Sequence, residues 1–244
     1  MSTVQPDRVA GTPNVTPGAG PGRLAALAIF IHSTRSGQSG AWTDELEKSA
    51  TINWFGSPNS RASTNWLVGA DGEKIRFVDD DDGAWHAKEH SFQAISIELT
   101  QPLRTTPYTD RHYESLAEVC RSYPNVPIVR LTHFENGDAG YVGHEDSAQG
   151  KRDGKSDPGD PFDWNRFLAL MRREQEEDDM TFIGIGYDER FPLPHRNFKS
   201  YRLFVGPGKR QVKELNRNAI EREMLGGVPI FALKAAELDA YDGA

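Results

Sequence analysis

Two stretches of the chain carry the residue types of a hydrolytic metal centre. Such sites commonly take three protein ligands from histidine and carboxylate and keep one position for water, because a closed shell activates nothing. His32 ends the apolar stretch Ala28-Ile29-Phe30-Ile31, and the loop from Gly143-His144-Glu145-Asp146 to Lys155-Ser156-Asp157-Pro158-Gly159 offers a second imidazole and several carboxylates. Spacing alone does not choose among them. The single cysteine, Cys120, can build neither an intramolecular disulfide nor a cysteine-rich zinc cluster. Its helical periodicity gives it a buried packing role.

These residues need rigid elements. Ala28–Ile31 reads as a central strand, apolar on both faces. Thr43 caps a helix running to about Trp54, with Leu46, Ala50 and Trp54 on one face. Residues 63–69 and 74–78 form an antiparallel hairpin across Asp71-Gly72. Ile95-Ser96-Ile97-Glu98-Leu99 alternates strictly, so Glu98 points away from the aliphatic layer of its own strand. Tyr113, Leu116, Ala117 and Cys120 recur at helical spacing, as do Trp164, Phe167, Leu168 and Met171, with a further short strand at Ile128–Leu131 between the two helices. Alternating strands and helices predict an α/β fold, a mixed central β-sheet flanked by helices.

The chain has 244 residues, 37% hydrophobic and 26% charged, enough for one substantial domain and a small second module. Residues 1–22, with four prolines and four glycines, read as a flexible leader. Residues 23–177 form the main domain. Residues 178–244 restart the pattern as a small α+β C-terminal module, with strands near Phe182 and Leu203, a helix over about 211–224 and a strand at 228–233. A net charge of −8 argues against nucleic acid as partner. Arg196–Arg222 nevertheless holds eight basic and two acidic residues, which suits an anionic partner or a solvated face. The longest apolar run, Leu24–Ile31, has eight residues, too few for membrane insertion and without the cleavage pattern of a signal peptide, so a cytoplasmic location is expected. Asp79–Asp82 lacks calcium-loop spacing and reads as a solvated turn.

Four stretches taken together resemble the zinc N-acetylmuramoyl-L-alanine amidases of the bacterial and phage type, which share a fold with peptidoglycan recognition proteins. They are Ile29-Phe30-Ile31-His32-Ser33, Ala84-Trp85-His86-Ala87, Ile95–Leu99, and Gly143-His144 followed by Lys155–Gly159 with Phe162-Asp163-Trp164. The resemblance covers about residues 26–173. It implies that His32, His144 and Asp157 bind Zn2+, that Glu98 is the acid/base carboxylate, and that Lys155 stands beside the metal to stabilise an oxyanion. His86 would border the substrate groove, as a ligand-binding or a structural histidine. His133 is an extra nearby imidazole, and the glycine beside His144 favours the latter. The proline after Asp157 holds it extended, while Gly159 permits a sharp turn.

The resemblance implies hydrolysis of the amide between N-acetylmuramic acid and L-alanine in peptidoglycan. A catalytic domain followed by a small basic module looks like a phage endolysin that waits in the cytoplasm for release to the wall, its basic segment binding anionic wall polymers. The alternatives are a bacterial wall-recycling amidase, a wall-binding recognition module without catalysis, and a virion-associated protein whose C-terminal module does the work. Loss of a ligand would mark the recognition module, and none is lost.

Overall fold

The computed structural model describes residues 4–35, 42–179, 181–187, 201–205 and 230–234. The chain divides into two compact units, residues 1–172 and 173–244. The first contains β1 (Arg8–Val9), β2 (Val15–Thr16), β3 (Ala28–Ser33), α1 (Asp44–Gly56), β4 (Trp66–Val68), β5 (Lys74–Arg76), β6 (Gly83–Ala84), β7 (Ile95–Leu99), α2 (Asp110–Arg121), β8 (Arg130–Leu131), β9 (Gly140–Gly143) and α3 (Ala148–Arg152). Helix α4 (Trp164–Asp179) closes it and runs past the boundary.

Seven strands form one mixed sheet in the order β1-β5-β4-β7-β3-β9-β8. Only the β4–β5 hairpin is antiparallel; β4, β7, β3, β9 and β8 run parallel. Odd-numbered residues of the central strands, Ile29, Ile31, Ile95, Ile97 and Leu99, are fully buried with the apolar faces of α2 and α4. Each such aliphatic side chain contributes ~1.5–3 kcal/mol by leaving water. Helix α2 begins with a capping box: Thr109 Oγ1 accepts from the His112 backbone while His112 Nδ1 accepts from the Thr109 N–H. Even-numbered residues face the other way. Ala28 and Phe30 join Phe134 and Val142 there, and on β4, whose register sets Leu67 opposite Glu98, Leu67 takes the same face and clusters with Phe55 of α1.

Helix α1 departs from the expected facing. Thr43 caps it as the sequence indicates, yet Leu46 and Trp54 are exposed and the inward face is Glu47, Lys48, Thr51 and Phe55. Electrostatics decides this, since Lys48 is 4% exposed with Asp71 at 2.7 Å, Glu73 at 2.8 Å and Glu45 at 3.1 Å. Burial alone would lower the Lys48 pKa, but those carboxylates hold the ammonium above its ordinary range.

Residues 4–22 are built into the unit rather than forming a free leader. β1 adds to the sheet edge and β2 pairs with β6. Asn14, 2% exposed, places Nδ2 at 2.9 Å from the Ser57 carbonyl and 3.2 Å from that of Phe55, satisfying backbone acceptors at the end of α1. Polar ties of this kind leave no apolar periodicity to read.

In the second unit β10 (Thr181–Tyr187) pairs antiparallel with β11 (Tyr201–Val205) and parallel with β12 (Ile230–Lys234). These strands fall near the expected ones, while the expected helix over 211–224 and most of the basic segment lie outside the described residues. The boundary at Arg172 falls before the expected one at 177. Among the described residues no helix is long and apolar enough to cross a membrane.

Candidate metal centre

Three parallel strands deliver the site at their carboxyl ends, where helix-flanked sheets leave an open crevice. His32 is the fifth residue of β3 and Glu98 lies directly opposite it on β7. Both therefore project from the same face, beyond Phe30. Gly143 ends β9 in register with Ile31, so His144 enters the crevice as the chain turns away. The Phe30 ring floors the group, with centroids 5.8 Å from His32, 5.3 Å from His86 and 6.4 Å from His144.

The third donor comes from the loop after α3. Asp157 Oδ2 lies 3.1 Å from His32 Nδ1 and 3.2 Å from His144 Nδ1, and the two Nδ1 atoms are 3.1 Å apart. Those edges are close to the ~3.3 Å ligand–ligand edge of a tetrahedron with bonds of about 2.0–2.1 Å, the spacing for nitrogen and oxygen donors on zinc. Two imidazoles and one carboxylate are also a borderline-soft donor set suited to that ion. His133 stands apart, 59% exposed and paired with Glu135, and Cys120 is buried in the α2 core.

Hydrogen bonds around His32 orient its ring. His86 Nε2 lies 3.2 Å from the Ser91 carbonyl, which can only accept, so His86 Nδ1 is left to accept from His32 Nε2–H at 3.1 Å. His32 then turns the Nδ1 lone pair inward. His86 lines the cleft, but both its ring nitrogens are used within the protein. Burial, then the neighbouring His144, lowers the His32 pKa to about 4. Burial alone would raise the Asp157 pKa, but its close contacts with His144 and His32 hold its carboxyl far below the usual range.

Glu98 lines the same cleft, with His32, Thr51, Trp54, Trp85, His144, Lys155 and Asp157. Its Oε2 is buried and, among the described residues, without a hydrogen-bond partner. Burial and the nearby Asp157 charge push its pKa well above the ordinary carboxylate value, against Lys155 and Arg35. A carboxyl so placed exchanges a proton readily with a reacting group.

Residues that no sequence pattern marked hold the ligand loop. Arg35 donates to Ser156 Oγ at 2.8 Å, to the Ser156 carbonyl at 2.6 Å, to the Pro158 carbonyl at 3.0 Å and to Gln101 Oε1 at 3.0 Å. Tyr108 adds a bond to the Pro158 carbonyl at 3.0 Å. Gly159 has φ +76°, and a Cβ there would lie 2.8 Å from the Arg35 guanidinium and from the Ser156 carbonyl. Gln149 meets the outer nitrogen of His144 at 2.9 Å.

A mixed α/β sheet thus presents His32, His144 and Asp157 as a group that could hold a metal ion, beside Glu98, whose Oε2 has no partner among the described residues. The family model for N-acetylmuramoyl-L-alanine amidase matches residues 23–160, and the chain belongs to that family. The 1,6-anhydro-N-acetylmuramyl-L-alanine amidase AmpD of Enterobacter cloacae is 34% identical over 124 residues, 48% of this chain and 60% of that protein. The chain thus spans less than two thirds of that relative. The AmpD of Citrobacter freundii is 34% identical over 145 residues, 54% of this chain and 72% of the relative. A selenomethionine crystal structure of AmpD is matched with a TM-score of 0.51 and 25% identity, covering 70% of this chain and 99% of that one.

Proposed function

We propose that the chain is a zinc-dependent amidase that hydrolyses the bond between N-acetylmuramic acid and L-alanine in peptidoglycan or its fragments. The observation that carries this reading is the triangle of His32 Nδ1, His144 Nδ1 and Asp157 Oδ2 beside Glu98, whose Oε2 has no partner among the described residues. The family match and the printed names of the curated relatives supply the substrate class.

His32, His144 and Asp157 would hold the ion. Bound zinc supplies Lewis-acid polarisation of the amide and a water acidic enough to attack at neutral pH. Glu98 takes the proton of the attacking water and returns it to the departing L-alanine nitrogen, so no covalent enzyme intermediate is needed. The Lys155 ammonium at the cleft offsets charge developing on the carbonyl oxygen. His86 supports His32 from behind.

Two forms of substrate share the scissile amide. The endolysin reading expects the intact wall, with the C-terminal basic segment on anionic wall polymers. The names of the relatives point to a 1,6-anhydro-N-acetylmuramyl-L-alanine substrate, which would suit the wall-recycling alternative. The zinc-loaded full chain is to be incubated with purified peptidoglycan and, separately, with anhydro muropeptide, with and without chelator. New L-alanine amino termini that vanish with chelator and return with zinc are expected, and the faster substrate assigns the role. Release of reducing sugar ends instead, or no cleavage of either substrate, would overturn the reading.

A further inference from the structure

We infer that Gln149 is a positioning residue for His144: a relay from Lys88 through Asp153 and Gln149 fixes which nitrogen of the His144 ring carries the proton, and so turns the Nδ1 lone pair toward the metal position. The inference rests on the metal-site reading above and adds residues outside the ligand set.

The chemistry of each partner fixes the next. Lys88 Nζ lies 2.5 Å from Asp153 Oδ2, and this pairing holds the Asp153 carboxyl below its usual range. An ionised carboxylate only accepts. Gln149 Nε2 lies 2.5 Å from that same oxygen and must donate to it. The amide cannot then turn round, so its Oε1 faces His144 Nε2 at 2.9 Å and that nitrogen must donate. A neutral imidazole with its proton on Nε2 has its lone pair on Nδ1, the atom 3.1–3.2 Å from the other two donors.

Packing holds the relay in place. Gln149 is 1% exposed and His144 4%. Helix α3, which carries Gln149, presses on the His144 backbone so closely that a Cβ on Gly150 would lie 1.8 Å from the His144 carbonyl oxygen. A second ion pair, Arg152 with Glu89, ties the end of α3 to the turn that carries Lys88. Partners of this outer kind orient ligating histidines, and their loss weakens metal binding by about 10–100-fold.

The test uses the full chain as apoprotein, with long-range proton–nitrogen NMR reporting the His144 tautomer and chelator competition reporting the zinc Kd. Wild type is expected to show the Nε2–H form. Gln149→Leu should mix the two tautomers and weaken Kd by about 10–100-fold. Asp153→Asn, which frees the amide to turn, should act in the same direction. The double variant Gln149→Glu with Asp153→Asn should return both readouts toward wild type, since the carboxylate at 149 accepts from His144 while the amide at 153 donates to it. An unchanged tautomer and Kd in both single variants would overturn the relay. Should Gln149→Leu fail to fold, Asp153→Asn and the double variant decide the point. A wild-type chain that binds no zinc would sink the metal reading instead, and the tautomer of the apoprotein would still decide the relay.

Discussion

Arg35→Met removes the guanidinium that clamps the Asp157 loop and keeps an apolar stem of similar length. Three of the four Arg35 bonds go to the loop, at 2.6–3.0 Å. The Pro158 carbonyl keeps its bond from Tyr108, so the unreplaced loss is at Ser156 Oγ and the Ser156 carbonyl. Bonds from a charged donor contribute about 1.5 kcal/mol each at the low end, fitting for half-buried acceptors that can regain water, so docking of the loop loses about 3 kcal/mol, or about 1.5 kcal/mol where one acceptor is fully rehydrated. One factor of ten per 1.4 kcal/mol turns that into a zinc Kd weakened by between ~10-fold and ~10²-fold. Chelator competition on the purified chain measures it, alongside the apoprotein Tm. Gly159→Ala strains the same loop from its other side and should move Kd in the same direction. A Kd within about twofold of wild type in Arg35→Met would refute the clamp, because two unreplaced bonds from a charged donor cannot cost that little.

Glu98→Gln should retain zinc at wild-type stoichiometry and lower kcat by about 10²–10⁴-fold, the usual contribution of a general acid/base, as read by release of L-alanine amino termini; full turnover would remove Glu98 from the mechanism. Lys155→Ala should reduce kcat with little change in bound zinc, and unaltered kinetics would count against its oxyanion role. His112 gives a pH dependence independent of metal. Burial lowers its pKa to about 4 from 6.5, and its Nδ1 must stay unprotonated to accept from Thr109. Below pH 6.5 the unfolded chain takes up a proton that the folded chain refuses. The stabilisation present above that value is therefore lost as pH falls toward 4, by about 3 kcal/mol at ~1.4 kcal/mol per unit. Urea unfolding of the apoprotein at pH 7 and pH 4.5 should show this decline reduced in His112→Gln, and equal declines in both would contradict it. Asn14→Ala strips the polar tie at the end of α1 and should lower Tm by several degrees, whereas an unchanged Tm would return residues 4–22 to the status of a loose leader.

Legibility followed the range of each interaction. Strand β7 declares its facing through Ile95, Ile97 and Leu99, which put Glu98 on the opposite side, and helices α2 and α4 declare theirs by spacing. His144 was distinguishable from His133 because a glycine and a turn-rich loop adjoin it, and the structure brings His144 to the cluster while His133 stays at the surface. The facing of helix α1 is not legible in the sequence because its inward face is held by Lys48 among carboxylates, some more than twenty residues away, while the apolar Leu46 and Trp54 stay outside. Arg35 and Gln149 were invisible for a related reason. The Arg35 partners lie 66 to 123 residues along the chain, and the role of Gln149 depends on which way an amide points. The leader is held by hydrogen bonds from Thr12 and Asn14 to backbone carbonyls, which composition does not register.

X-ray absorption at the zinc edge of the reconstituted wild-type chain probes the three-donor centre directly. One zinc per chain with nitrogen and oxygen neighbours at ~2.0–2.1 Å and no sulfur is the spectrum that His32, His144 and Asp157 should produce. A sulfur neighbour at ~2.3 Å, or a wild-type chain that takes up no zinc, would contradict it.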